Sequence, residues 1–283
     1  MRAALIQLRS GTDMARNCAA ASALIREAAG QGATFISTPE MTNILEPDRP
    51  RLRGLARPEA EDASVAAFAA LARELGLWLN IGSLALTGQG EKLVNRSMLF
   101  APDGSIAARY DKIHLFDVDL PTGESLRESH AYEGGAAAVL VQTALGPIGL
   151  TICYDMRFPH LYRALAQAGA KLFTVPSAFT VPTGQAHWHV LLRARAIETG
   201  SFVLAAAQGG RHDSGRETYG HSLIVSPWGE VLAEAGTEPG IVVADIDLAQ
   251  ADLARARIPA LAPDRPMPLT VLKPDGVIVT SQP

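Results

Sequence analysis

Residues 146–169 read GPIGLTICYDMRFPHLYRALAQAG, and the hydrophobic period changes at Cys153. Leu150, Thr151 and Ile152 have the character of the end of a buried strand. From Met156 to Gly169 the apolar residues Phe158, Leu161, Leu165 and Ala168 recur at helical spacing, and the run closes on a glycine. A thiol at a strand-to-helix junction is held on a sharp turn, with the free N–H groups of the next helix pointing at it. Those donors and the helix dipole predict a lowered thiol pKa and a nucleophilic Cys153. The second cysteine gives the contrast. Cys18 falls on a 14, 18, 21, 25, 28 stripe with Met14, Ala21, Ile25 and Ala28, which predicts a core position on an amphipathic helix.

Outward from this junction, strand and helix signals alternate. Ala3 to Leu8 reads as a strand, and Asp13 caps a helix that runs to Gly30. A strand over 33–38 leads into a Pro-rich loop at 47–58, and a helix over about 59–75 carries Val65, Phe68, Leu71 and Leu75 on one face. Residues 77–84 and 93–101 form a hairpin around TGQGE, and PDG at 102–104 turns into a further strand. Beyond the cysteine lie a strand at 171–176, a helix over about 184–199, a strand at 201–207, hairpin strands flanking Pro227-Trp228-Gly229, and a strand at 241–246. No linker, repeat or low-complexity block divides the chain. The pattern predicts one α/β domain over residues 1–283, with helices layered outside packed sheets and a Pro-rich tail from about 258 that cannot be regular helix.

Composition narrows the function classes. With 48% hydrophobic and 19% charged residues, the chain can build a sizeable core. A net charge of −4 gives no electrostatic reason to expect nucleic acid or an anionic membrane surface. Two cysteines do not make a disulfide framework, and the short apolar run before Arg9 suits a first strand better than a signal peptide. No stretch approaches the roughly 18 apolar residues of a membrane span. A cytoplasmic protein is expected.

A catalytic thiol needs a base and a group to hold an oxyanion. None of the seven histidines lies in a Cys/His protease context, and His187 and His189, two apart on a helix, point to different faces. No CxxC, phosphate-loop or dinucleotide motif occurs, so a metal site is not expected and neither phosphate-loop nor dinucleotide chemistry is suggested. Two other segments stand out. FISTPE (35–40) is a strand ending in Pro39-Glu40, and RYDKIHLF (109–116) embeds Lys112 among apolar and aromatic residues. Alone, such a glutamate is ordinarily solvated and such a lysine snorkels.

Together, in this order, the segments resemble the Glu-Lys-Cys signatures of the nitrilase superfamily of carbon–nitrogen hydrolases. The likeness covers roughly residues 2–270 and includes PEM (39–41), RYDKIHLFD (109–117), ICYDMRFP (152–159), the AHW within 183–199 and YGHSLIVSPWGEVLA (219–233). The resemblance implies a four-layer αββα sandwich that pairs into dimers or larger homo-oligomers and uses no cofactor. It also implies Glu40 as general base, Lys112 as oxyanion stabiliser, Cys153 as nucleophile, and Glu128 as a group that positions substrate or lysine. The same mechanism implies the backbone N–H of Tyr154 as the second oxyanion donor. Apolar helix faces around Leu161, Leu165 and Leu191 are expected to be exposed and to meet in a homodimer.

Within the superfamily the chain is similar to the small Nit-type amidases, which act on ω-amides of 2-oxo acids, including deaminated glutathione and 2-oxoglutaramate. The resemblance assigns substrate contacts to Arg157, Phe179 and Thr183. Arg157 reads either as an anchor for a 2-oxo-carboxylate or as an ion pair with Asp155 or another carboxylate. Segment 205–222 resembles the deaminated-glutathione type more than the ω-amidase type, and there Arg211 and Arg216 are candidates for a distal carboxylate. Gln185 departs from the proline usual in this branch. An inactive binding member of the fold is disfavoured by the complete triad, while acyl transfer through the same thioester stays open.

Overall fold

Alternation in the first strand, Arg2–Gln7, sets the layering. Ala3 and Leu5 point into one apolar cluster, Ala4 and Ile6 into another. A strand buried on both faces needs a partner layer on each side. The computed structural model describes residues 1–120 and 123–262 and the backbone of the strand pair Leu269–Lys273 and Gly276–Thr280.

The first sheet runs in the order Gly240–Asp245, Arg2–Gln7, Phe35–Ser37, Trp78–Thr87, Leu93–Phe100 and Ile106–Asp111, with Tyr132–Glu133 added beside Leu93–Phe100. The second runs Val231–Glu234, Leu223–Val225, Phe202–Ala205, Leu172–Thr174, Gly146–Leu150 and Val139–Thr143. Three consecutive strands in each sheet are parallel, so their carboxyl ends share one edge. Ile148 and Leu150 of the second sheet share a cluster with Ala3, Leu5, Phe35 and Leu99 of the first, which closes the sandwich.

The helices cover the outer faces. They are α1 (Met14–Gly30), α2 (Arg49–Leu55), α3 (Ala63–Leu75), α4 (Pro159–Gln167), α5 (Val181–Thr199) and α6 (Ala249–Arg257). Ala21 and Ile25 of α1 join Phe68 and Leu71 of α3 over Ala4 and Ile6. On the other side, Gly149 admits the Phe173 ring, because a Cβ there would come 2.7 Å from it. Phe173 then meets Tyr162 of α4, with ring centroids 5.0 Å apart. The result is the αββα order of layers.

Helix ends follow local chemistry. The Asp13 side chain accepts from Arg16 N at 3.0 Å and starts α1. Asp62 accepts from Ser64 N at 2.8 Å and starts α3, so the helix expected from 59 splits into a 3-10 turn at Glu59–Glu61 and a capped helix. The stretch 47–58 is not all loop. Asp48 accepts from Arg51 N at 2.8 Å and nucleates α2 despite the prolines, one of which occupies its first turn. The helix after the cysteine begins only at Pro159, behind a 3-10 turn at Cys153–Arg157, since a proline starts a helix more readily than it sits inside one. Helix α6 and the final strand pair were not anticipated. The prolines at 263, 266, 268 and 274 lie outside the described residues.

Two burial expectations change. Cys18 is only half-buried, and Asn17 takes the inward position beside it, its Nδ2 donating to Gly11 O and Asn43 O. Leu161 and Leu165 are buried within the protomer, between α4 and the second sheet, so they cannot form an exposed face. Among the described residues the exposed large apolar side chains include Val190 and Ile197 of α5 and Trp228 of the neighbouring turn, with Val231, Leu232, Leu253 and Ile258 elsewhere.

Candidate active site

The carboxyl ends of the parallel strands, where open α/β sheets ordinarily hold ligands, carry the candidate residues. Glu40 follows Phe35–Ser37, Cys153 follows Gly146–Leu150, and Lys112 follows Ile106–Asp111 of the same sheet as Glu40. All three are buried.

The turn bearing Glu40 is held from several directions. Thr42 Oγ1 donates to Pro39 O at 2.7 Å, and Gln208 Nε2 donates to Glu40 O at 3.0 Å. Met41 takes a left-handed φ of 56°, with its N–H donating to Ser83 Oγ at 2.9 Å. Gly82 permits the approach, since a Cβ there would lie 2.0 Å from Thr38 O and 2.5 Å from Pro39 O.

Cys153 also has a left-handed φ, 47°, and its N–H donates to Pro176 O at 2.9 Å. The sharp turn read from the sequence is therefore present. Strain of this kind collects at functional sites. The turn is anchored by the fully buried Asp155, which accepts from Ile152 N at 2.9 Å, His114 N at 3.1 Å, His114 Nδ1 at 2.7 Å and the Tyr110 hydroxyl at 2.6 Å. Asp155 thereby joins the nucleophile turn to the segment that carries Lys112.

Lys112 Nζ donates to Glu40 Oε1 at 2.9 Å and to Glu128 Oε2 at 2.8 Å. Asn95 Nδ2 bridges the same two carboxylates at 2.9 and 3.1 Å. Ala178 N donates to Glu40 Oε2 at 2.9 Å, and Phe116 N to Glu128 Oε2 at 2.6 Å. Burial alone would push Glu40 up, but the Lys112 charge and hydrogen bond, with Asn95, hold it below the usual carboxylate range. Burial alone would push Lys112 down, but Glu128 and Glu40 hold it well above its ordinary value. The ammonium is thus held in its charged form between two carboxylates, and Glu128 contacts the lysine directly.

The thiol departs from expectation. Burial first, then the Glu40 charge, raise the Cys153 pKa well above the ordinary thiol range, outweighing Lys112 and a hydrogen bond from the Ala178 backbone. A 3-10 turn of five residues supplies too little dipole to reverse this. A thiol raised in this way needs a base at the moment of attack, and Glu40 is the carboxylate that acts on it.

Glu40, Lys112, Glu128 and Cys153 line one cavity of about 710 Å³, together with Phe179, Thr183 and Arg216. Arg216 reaches in from the turn of the hairpin Gly209–Arg211/Glu217–Tyr219, its Nη2 donating to Ala178 O at 3.2 Å. Arg211 does not join them. It is exposed at the end of its strand and lines a separate small cavity, because strand alternation turns His212 inward in its place, where His212 Nε2 meets Thr218 Oγ1 at 2.7 Å. Arg157 makes no pair with Asp155, which is occupied as described. Its guanidinium lies over Phe179 at 5.4 Å and Tyr154 at 5.9 Å, with Nη2 3.3 Å from His187 Nδ1, and Arg157 is not itself among the residues lining the cavity. Asn95, Asp155 and Gln208 escaped sequence reading. The one hint was a buried-strand pattern, LVNRSMLF, with asparagine on its inward face.

The layered sheets and this buried Glu-Lys-Glu-Cys cluster are those of a carbon–nitrogen hydrolase of the nitrilase superfamily. The carbon-nitrogen hydrolase family profile matches residues 2–256, and the chain belongs to that family. It is 43% identical over 268 residues to the deaminated glutathione amidase of Bos taurus, covering 93% of this chain and 81% of that one. It is 39% identical over 264 residues to the human omega-amidase NIT2, covering 93% and 95%. The crystal structure of Saccharomyces cerevisiae Nit3, a member of branch 10 of the nitrilase superfamily, superposes with a TM-score of 0.83 at 30% identity, covering 92% of this chain and 94% of that one.

Proposed function

We propose that this protein hydrolyses the amide bond of a 2-oxo-acid ω-amide, deaminated glutathione before others, through a thioester on Cys153. The observation that carries the reading is Lys112 fixed between Glu40 and Glu128, with the Cys153 thiol lining the same cavity.

In the proposed cycle Glu40 takes the thiol proton as sulfur attacks the amide carbon. The ammonium of Lys112 and the N–H of Tyr154 stabilise the oxyanion, and the protonated Glu40 passes its proton to the leaving amine. Water then enters. Glu40 removes its proton, the hydroxyl adds to the thioester, and Cys153 leaves and is reprotonated. Glu128 and Asn95 keep the lysine aimed.

The size of the cavity supports an acyl group larger than a simple amide. Arg157, half-buried against two rings and free of any carboxylate among the described residues, suits the 2-oxo-carboxylate. Arg216 suits the distal carboxylate, and Phe179 and Thr183 shape the wall. The second reading is ω-amidase activity on 2-oxoglutaramate, favoured by the likeness to NIT2.

The test is a side-by-side assay of deaminated glutathione, 2-oxoglutaramate and intact glutathione, with wild type and Arg216→Ala. The expected order is deaminated glutathione first and glutathione last, with Arg216→Ala hurting only the first. A preference for 2-oxoglutaramate transfers the assignment to ω-amidase, and products other than those of water as acceptor indicate acyl transfer.

This role is one of metabolite repair in the cytoplasm, consistent with two free cysteines. Among the described residues no helix is long and apolar enough to cross a membrane. One carbon–nitrogen hydrolase domain over residues 1–283, with its Pro-rich tail from about 258, and a homodimer through the exposed face of α5 complete the proposal.

A further inference from the structure

We propose that His189, His221 and Glu234 form a binding site for one divalent cation of the zinc class, separate from the catalytic cavity. His189 Nε2 and His221 Nδ1 each lie 2.8 Å from the same carboxylate oxygen, Glu234 Oε1. All three donor atoms fall within 4.8 Å of one another. His187 and His189 diverge, as their spacing requires. The partners of His189 come from far along the chain, so no sequence motif announces the cluster.

Three different elements supply the donors: α5, the segment entering Leu223–Val225, and the end of Val231–Glu234. The arrangement is braced independently of the three contacts. Trp188, next to His189, donates its indole N–H to His221 O at 2.8 Å, and His221 N donates to Gly236 O at 2.8 Å. The Tyr219 ring stacks on the His221 imidazole with centroids 4.4 Å apart and planes at 28°. The backbone and one ring plane are therefore set before any ligand arrives, which lowers the cost of ordering a site.

Two imidazoles and a carboxylate are the donor set of open zinc sites, with bonds of about 2.0–2.1 Å and a fourth position for water. The side chains are 32%, 28% and 34% exposed, so water reaches the open position. A cation here would clamp α5, whose first turns line the catalytic cavity, against the second sheet. None of the three residues lines that cavity.

The probe is zinc alone, on tag-free protein carrying Cys153→Ala so that the thiol cannot compete. Competition with a chromophoric chelator should give one ion per chain. Glu234→Gln and His221→Gln should each weaken binding by more than the ~10- to 100-fold that changes outside the ligand shell cost. Zinc should raise the unfolding temperature of the parent and not of these variants. X-ray absorption of the zinc-loaded parent, which needs no variant, should show two imidazoles and one carboxylate. Sub-stoichiometric binding, a different ligand set, or equal affinity in folded variants overturns the proposal and leaves the cluster an ordinary ion-pair network.

Discussion

The Tyr110 hydroxyl donates to Asp155 Oδ2 at 2.6 Å and fastens the strand leading to Lys112 onto the turn of Cys153. Tyr110 lies in a strand of the first sheet and Asp155 in the 3-10 turn that follows a strand of the second, so this bond ties the lysine segment to the nucleophile turn. Tyr110→Phe removes a hydrogen bond to a buried charge, worth about 1.5–3 kcal/mol. The expected result is an unfolding temperature lower by several degrees, with kcat down roughly 10- to 100-fold and KM little changed. Calorimetry and steady-state kinetics on one preparation check it, and an unchanged kcat would show that the bond serves stability alone.

Glu40→Gln should separate two properties of the thiol. Removing the Glu40 charge removes one cause of the raised Cys153 pKa, while Lys112 stays. Alkylation of Cys153 at pH 7 should therefore hold or rise in this variant while amide turnover is lost. In wild type, the acid limb of kcat/KM should fall below the usual carboxylate range, because Glu40 is held down there and ionised at higher pH. An acid limb near pH 6–7 would argue against Glu40 as the base.

Lys112→Met should leave Glu40 and Glu128 facing each other without a cation. Breaking such a buried pairing costs about 3–5 kcal/mol, and losing an oxyanion donor costs about 10²–10³ in kcat. Glu128→Gln keeps Asn95 and one carboxylate in place and should cost less on both measures. Urea unfolding and single-turnover assays compare them, and equal losses in the two variants would contradict a distinct oxyanion role for Lys112.

Assembly should depend on α5. Val190 and Ile197 are one heptad apart on its exposed face, and Arg193 Nε donates to Gly229 O at 2.7 Å, holding Trp228 alongside. Light scattering should give twice the 29.9 kDa chain mass for wild type and the single mass for Val190→Glu with Trp228→Glu. A dimer that survives both changes would move the interface elsewhere.

Much of this was legible from local pattern. Period changes located the strands around Cys153, Asp13 located a helix start, and the ordered Glu40, Lys112 and Cys153 segments indicated the chemistry. What escaped depends on three-dimensional neighbours. The raised Cys153 pKa follows from burial beside Glu40, which no window around Cys153 contains. Asn95 and Asp155 matter through partners distant in sequence. Leu161 and Leu165 carry the same apolar stripe whether it faces a sheet or a second subunit, so their pattern could not choose between them.

The left-handed backbone at Cys153 has an evolutionary consequence. A side chain in that conformation is disfavoured by roughly 1–2 kcal/mol, a cost that glycine escapes. Folding and catalysis therefore pull this position in opposite directions. In a lineage released from the need for the activity, drift toward a more stable chain would replace the nucleophile early, while Glu40 and Lys112, each shielding the other's charge, would persist as a relic of the lost chemistry.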